Sequence, residues 1–127
     1  MNDATDSNII IYASQPEHTQ IRQFIREIEI ALSAVSYVEV LGYHRLTQES
    51  RLYFEEFFGV VEVLPISQAV LDRAVTLRQM RKMTLGDAII AATALVYGLT
   101  LVTRNIEDFQ WIAELTLINP FEAELGS

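Results

Sequence analysis

Residues 84–103, TLGDAIIAATALVYGLTLVT, constrain the fold more than any other stretch. They read as an Ala- and Ile-rich helix capped by Thr84, closed by Gly98 and followed at once by an apolar β-type run over residues 99–103. A helix feeding straight into an apolar strand is one step of an alternating α/β chain. The polar residues around it need a reason. Asp87 lies in the first turn of the most apolar helix, and Arg104, Asn105, Glu107 and Asp108 come just past the most apolar strand.

The rest of the chain repeats the alternation. Residues 16–29 place Ile21, Phe24, Ile25 and Ile28 at helical spacing, with Arg22, Arg26, Glu27 and Glu29 mostly on the other side. Residues 30–35 are a short apolar run read as a buried strand. Residues 36–46 carry Val38, Leu41 and Leu46 at roughly helical spacing, and residues 49–59 are an amphipathic helix stopping at Gly59. A β-branched run over residues 60–66, ended by Pro65, reads as a strand. Residues 67–82 read as a helix with Ser67 as N-cap and basic residues in the last turn. A short helix over residues 106–112 and a last strand over residues 115–119, stopped by Pro120, complete the pattern. Such alternation gives an α/β fold in three layers, α/β/α. Its central sheet is mainly parallel, with four to five strands, in one domain over residues 1–127. One segment is ambiguous: Asn8-Ile9-Ile10-Ile11-Tyr12 is β-branched and reads as a strand by propensity.

Half of the 127 residues are hydrophobic, enough for a core, and the absence of cysteine excludes disulfides and thiolate metal sites. The first residues lack the basic-then-apolar pattern of a signal peptide. The longest uncharged run, residues 88–103, contains Gly98 and is shorter than the roughly 20 apolar residues of a spanning helix. A cytoplasmic protein with no membrane partner is expected. The formal net charge of -8 speaks against broad nucleic-acid binding, since phosphate contacts come from Lys and Arg. It suits a basic partner, or a site crowded with carboxylates that a cation neutralises.

In an open parallel sheet, ligands bind beyond the carboxyl ends of the strands. Asp87 opens a helix, Asn105 and Asp108 follow one strand, Glu39 follows another, and Asp6 precedes an apolar run. Clustered carboxylates are costly to bury unless paired or metal-bound. A hard divalent ion, Mg²⁺ or Mn²⁺, removes that cost with oxygen ligands and several waters. Singly, each residue has an ordinary structural reading. Thr84 and Asp87 form a T-x-x-D box suited to the helix dipole. Asp6 suits an Asx-turn, Asp108 a turn cap and Asn105 a turn after a strand. Glu39 lies among apolar residues, where a carboxylate is out of place unless it projects from an amphipathic helix.

Together these residues resemble a known family. Residues 6–13, DSNIIIYA, resemble the opening motif of PIN domains, as found in VapC-type toxin ribonucleases of bacterial toxin–antitoxin systems. SAVSYVEVLGY resembles their second motif, with its glutamate. LGDAIIAATALVYGLTLVTRNIEDF resembles the third and fourth motifs run together, and LINPF the closing strand. The match spans nearly the whole chain, in order. The resemblance implies a metal-dependent endoribonuclease that hydrolyses RNA phosphodiester bonds with Mg²⁺ or Mn²⁺. It also implies inhibition by a cognate antitoxin and a homodimer.

Carried over, Asp6, Glu39 and Asp87 match the three main acidic positions. Asp6 and Asp87 are then the direct metal ligands, while Glu39 and Asn105 hold water around the ion or a second ion. The fourth position, often aspartate, falls on Asn105, and Asp108 of the Asp-Phe pair joins the metal set. Ser7 matches a hydroxyl position beside the first aspartate, on the cofactor side. RNA contacts fall to Arg45, Arg81, Lys82 and Arg104. The resemblance also implies that residues 8–12 begin a helix, and that reading is adopted. About three apolar residues precede the first aspartate in the family, forming a central strand. Here the run is Asn2-Asp3-Ala4-Thr5, so the strand is expected to pair only at Ala4 and Thr5, with Asp3 at the rim.

Two other readings remain open at this point. One is a PIN-fold protein with weak or no nuclease activity, acting as a protein- or RNA-binding module; Asn105 and the polar opening favour it. The other is a receiver-type phosphotransfer domain, which needs a paired-acid motif and a late lysine that this chain lacks.

Overall fold

In the computed structural model, which describes residues 3–125, one five-stranded sheet organises the chain. Its strands are β1 (Asp3–Thr5), β2 (Ile30–Ser33), β3 (Glu62–Leu64), β4 (Thr100–Val102) and β5 (Leu117–Ile118). They lie in the order β3-β2-β1-β4-β5, and every neighbouring pair is parallel. Parallel neighbours need crossovers, and helices supply them. Helix α1 (Ser7–Ser14), a 3-10 turn (Pro16–His18) and α2 (Thr19–Glu27) link β1 to β2; α3 (Ala34–Leu41) and α4 (Gln48–Phe58) link β2 to β3. Helices α5 (Gln68–Met80) and α6 (Leu85–Tyr97) link β3 to β4, α7 (Ile106–Phe109) links β4 to β5, and α8 (Pro120–Leu125) follows.

Successive strand residues serve opposite faces of the sheet, as the period of two requires. Ala4, Ala31 and Leu101 pack with Val70, Ala74 and Leu77 of α5 and Ala88, Ala91 and Ala92 of α6. Leu32 and Val102 pack on the other face with Ile9 and Ile10 of α1, Ile21 and Ile25 of α2, and Phe54 of α4. This is the expected three-layer fold. The alanines of α6 are fully buried, and their small side chains let the helix lie close to the sheet. The Thr84 hydroxyl accepts the Asp87 N–H at 3.1 Å at its start. Gly98 closes it with φ of 67°, a left-handed turn that costs glycine nothing.

Residues 8–12 are helical, against their β propensity. The Asp6 carboxylate accepts the Ile9 N–H at 3.0 Å, which starts α1, and Ile9, Ile10 and Ala13 then form a buried stripe. Burying that stripe outweighs a propensity scale spanning only about 1 kcal/mol. The run over residues 30–35 is shorter as a strand than it reads, because the Ser33 hydroxyl accepts the Val35 N–H at 3.3 Å and starts α3. The helix expected from residue 16 opens as a 3-10 turn at Pro16.

The central strand begins one residue earlier than expected. Asp3 is in register with both Ile30 and Thr100, so it takes part in the ladder rather than standing outside it. Its side chain is half-buried, and desolvation holds its carboxyl above the ordinary aspartate range. The expectation for Asn2 lies outside the described residues. Beyond Pro120, where only the end of a strand is legible, the chain forms α8. No helix among the described residues is long and apolar enough to cross a membrane.

Candidate functional site

The sheet order runs outward in both directions from β1, so β1 and β4 are neighbours whose connections leave on opposite faces. Such a switch point leaves a crevice at the carboxyl ends of the two strands. Asp6 follows β1 directly and Thr103 follows β4. The Asp6 N–H donates to the Val102 carbonyl at 3.1 Å, carrying the pairing one residue past the strand. The Thr103 hydroxyl donates to Asp6 Oδ2, while Oδ1 is occupied by the Ile9 amide. Thr103 Oγ1 also accepts the Asn105 N–H at 3.0 Å. Asp6 is thereby fixed at both oxygens and is only 4% exposed.

Glu39 projects from the exposed side of α3 toward the same edge. The Ser7 hydroxyl donates to Glu39 Oε1 at 2.6 Å, and the buried Ser36 hydroxyl lies 3.1 Å from that of Ser7. Glu39 also rests against the first turn of α6. A Cβ built on Gly86 falls 2.6 Å from Glu39 Oε2, so only glycine leaves the carboxylate where it is. That places Glu39 beside half-buried Asp87. Asn105 and Asp108, both exposed, stand where the chain leaves β4, and the Asp108 N–H donates to the Asn105 carbonyl at 3.1 Å.

The carboxylates feel one another. Burial raises the Asp6 pKa, the Thr103 hydroxyl and Ile9 amide oppose the rise, and the charges of Asp87 and Glu39 add to it. Burial likewise raises the Asp87 pKa, Thr84 opposes, and Asp108 and Glu39 add to it. No basic side chain figures among the groups acting on either aspartate.

Among the described residues, no three carboxylate or imidazole side chains stand close enough to enclose an ion as they are placed. The donors nevertheless suit a hard divalent ion. All are oxygens, two are desolvated without a counter-charge, and Mg²⁺ is commonly held by one or two carboxylates with water and substrate oxygens completing its shell.

The structure thus brings Asp6, Ser7, Glu39, Asp87 and Asp108 toward one end of the sheet. Asn105 is there through its backbone, and its side chain makes no capping bond to α7. The basic residues are more dispersed. Arg81 and Lys82 are exposed between α5 and α6, and Arg104 follows Thr103. Arg45 lines a cleft of about 350 Å³ with Ser14, Gln15 and Glu49. Three residues escaped sequence reasoning: Thr103, Ser36 and Gly86. A hydroxyl directly after an apolar strand, two residues before an asparagine, was the available signal for Thr103. Nothing local marks Ser36 or Gly86, whose roles depend on packing between α1, α3 and α6.

The PIN domain family model matches residues 4–115. No curated protein matches the chain. Among solved structures, a chain of a toxin–antitoxin complex from Klebsiella pneumoniae is 30% identical with a TM-score of 0.75, over 94% of this chain and 98% of that one. VapBC2 from Rickettsia felis, bound to a DNA fragment from its promoter, matches at 22% identity and a TM-score of 0.80, over 94% and 98%. VapBC-1 from nontypeable Haemophilus influenzae matches at 23% and 0.78, over 95% and 99%. The last two likenesses speak for the fold alone.

Proposed function

The chain belongs to the PIN domain family, and from that premise we propose that it is a VapC-type toxin, a metal-dependent endoribonuclease held in check by a cognate antitoxin. One observation carries the reading. Asp6 is almost wholly buried at the switch point, with the like charges of Asp87 and Glu39 acting on it and, among the described residues, no basic side chain paired with it. Capping α1 and accepting the Thr103 hydroxyl need a polar acceptor but no charge, so an ionised carboxylate buried there is costly unless a cation meets it.

In this reading Asp6 and Asp87 hold Mg²⁺ or Mn²⁺, with Glu39, Asn105 and Asp108 on the open side and Ser7 as the hydroxyl that steadies Glu39. When bound, the ion supplies charge neutralisation at the scissile phosphate and acidifies a water. Thr103 and the Ile9 amide keep the Asp6 carboxylate in one orientation, so no reorganisation is needed when substrate arrives. Ser7 does the same for Glu39, which orients water at the rim. Water adds to phosphorus, the bond to the 3′-oxygen breaks, and the products carry a 5′-phosphate and a 3′-hydroxyl. The basic contacts to RNA come from Arg45, Arg81, Lys82 and Arg104.

The 30% identical Klebsiella pneumoniae chain comes from a toxin–antitoxin complex, which supports an antitoxin partner here. A net charge of -8 suits a partner with a basic segment. We take the protein to be a single-domain cytoplasmic homodimer. A second reading, a PIN-fold binding module with weak or no nuclease activity, is favoured by Asn105, which puts an uncharged amide at the fourth position. Incubation of RNA with purified protein and Mn²⁺, with and without chelator, separates the two. The toxin reading expects cleavage that chelator abolishes and that Asp87→Asn lacks. RNA left intact by the wild type under all metal conditions would reject the nuclease.

A further inference from the structure

The chain has nine Lys and Arg residues against seventeen acidic ones, so where each guanidinium goes is informative. Arg51 and Arg73 pair with Glu55 and Glu114. Arg22 donates to the Ala13 and Ser14 carbonyls at the end of α1, and Arg78 to the Met83 carbonyl. Among the described residues, Arg104 does neither. Its guanidinium carbon lies 4.1 Å from the Phe121 ring centroid and 5.4 Å from that of Tyr12.

Those rings belong to a cluster of three. Tyr12 meets His18 at 5.2 Å and Phe121 at 5.4 Å, and His18 meets Phe121 at 5.6 Å, all edge-on. Helix α1, the 3-10 turn and α8 converge to seat one exposed arginine, directly after the threonine that binds Asp6. An arginine next to a carboxylate cluster is drawn to ion-pair with it, which would neutralise the cation site from within. Contact with the aromatic faces offsets that pull and keeps the charge off the carboxylates, on a residue whose backbone adjoins Thr103. A guanidinium held over aromatic rings and not paired with a carboxylate keeps N–H donors for a phosphate. The same pairing recurs nearby, with Arg81 over Trp111 at 5.7 Å. The segment carrying Asn105 and Asp108 lies between two arginines held over aromatic rings.

We propose that Arg104, seated on Phe121 and Tyr12, grips the single-stranded RNA beside the scissile phosphate, and that Phe121 is the positioning residue that holds it there. This rests on the ribonuclease reading above and deepens it. RNA fits better than a protein ligand, because a planar cation laid on aromatic rings offers both a phosphate contact and a surface for an unstacked base.

The test combines Mn²⁺-dependent cleavage of one single-stranded RNA with metal-free binding of the same RNA, read by fluorescence anisotropy in chelator. Arg104→Ala should raise KM on the order of tenfold, leave kcat within about twofold, and weaken metal-free binding in parallel. Phe121→Leu should raise KM by a smaller factor, and Phe121→Trp, which keeps an aromatic face, should restore it. Arg104 is exposed, so its variant does not put the fold at stake. Unchanged KM and RNA binding in Arg104→Ala would overturn the proposal, and so would Phe121→Trp behaving like Phe121→Leu. Unchanged RNA binding with weakened antitoxin binding would assign the surface to the protein partner and overturn it too. If the wild type cleaves no RNA, the ribonuclease reading has failed by itself. The binding arm then decides alone: loss in Arg104→Ala supports the grip, and no loss rejects it.

Discussion

Gly86→Ala should separate the fold of this protein from its site. Gly86 lies in the first turn of α6 without a positive φ, so alanine can adopt its backbone. In a helix that exchange gains about 0.5–1 kcal/mol by restricting the unfolded chain. The added Cβ, however, falls 2.6 Å from Glu39 Oε2 and 3.3 Å from its Cδ. To regain ordinary contact at 3.4 Å, the carboxylate must retreat by roughly 0.8 Å. Glu39 is an exposed side chain with free torsions, so it is the carboxylate that yields and not the helix. The retreat strains or breaks the 2.6 Å hydrogen bond from Ser7, a loss of about 1 kcal/mol. Gain and loss nearly cancel, and the melting temperature should move by no more than a few degrees. Cleavage should fall about 30- to 100-fold, since a misplacement near 1 Å of a positioned group costs on that order.

Calorimetry gives the first quantity and Mn²⁺-dependent RNA cleavage the second. Glu39→Asp in the Gly86→Ala background withdraws the carboxylate by about one bond length, roughly 1.5 Å, and should recover part of the activity. Cleavage within threefold of wild type by a folded Gly86→Ala protein would refute the argument, because Glu39 would then not need its present place. So would losses from the two substitutions that simply multiply, since groups in contact are expected to couple.

Asp87→Asn should abolish cleavage while keeping α6, because asparagine carries no charge for a cation; near wild-type cleavage would put the metal site elsewhere. Thr5→Val should raise stability by about 1 kcal/mol, since the Thr5 hydroxyl is buried and finds no hydrogen-bond partner among the described residues; a lower melting temperature would count against this. The raised pKa values of Asp6 and Asp87 mean that the folded state keeps protons the unfolded chain releases above pH 3.8, so these groups make metal-free stability fall as pH rises through that value toward their folded pKa. Compared with an Asp6→Asn, Asp87→Asn double variant, the wild type should therefore lose stability across that window, and a relative gain would reverse the sign of the argument.

Much of the fold was legible because the helices are marked by caps and the strands by apolar runs. Thr84, Ser67 and Gly98 act as their residue types foretell. The places of Asp6, Asp87 and Asp108 were legible too, since each follows a strand or lies in the first turn of a helix; Glu39, expected just after a strand, lies inside α3, because the Ser33 cap starts that helix early. The failures have physical causes. Propensity alone makes Asn8 to Tyr12 a strand, and the helix that the resemblance implied is the one observed, because the Asp6 cap and a buried Ile stripe, both tertiary facts, outweigh that propensity. Asp3 looked like a residue for the rim, yet backbone pairing does not consult the side chain, and Asp3 joins the ladder while its carboxylate stays half in water. The site's supports were the least legible. Thr103 meets Asp6 across 97 positions of sequence, Ser7 meets Glu39 across 32, and no local pattern encodes either pair.

The central strand explains why the site and the stability of this protein are linked. A strand covered on both faces is ordinarily apolar throughout. Here β1 carries Asp3 at one end, the unpartnered Thr5 hydroxyl near the other, and Asp6 just beyond. Nothing in the site accounts for Asp3. Asp6 and its neighbours are different, because a divalent ion bound there would offset their repulsion and desolvation in the folded state alone. Binding that favours only the folded state adds stability by mass action, about 2.7 kcal/mol at a hundredfold excess over Kd. The cost of gathering carboxylates at the switch point is therefore greatest in the metal-free chain. A shift in melting temperature with Mn²⁺, lost in Asp87→Asn, would read the site through the fold, without RNA and without turnover. No shift at saturating Mn²⁺ would mean that these carboxylates are stabilised by something other than a cation.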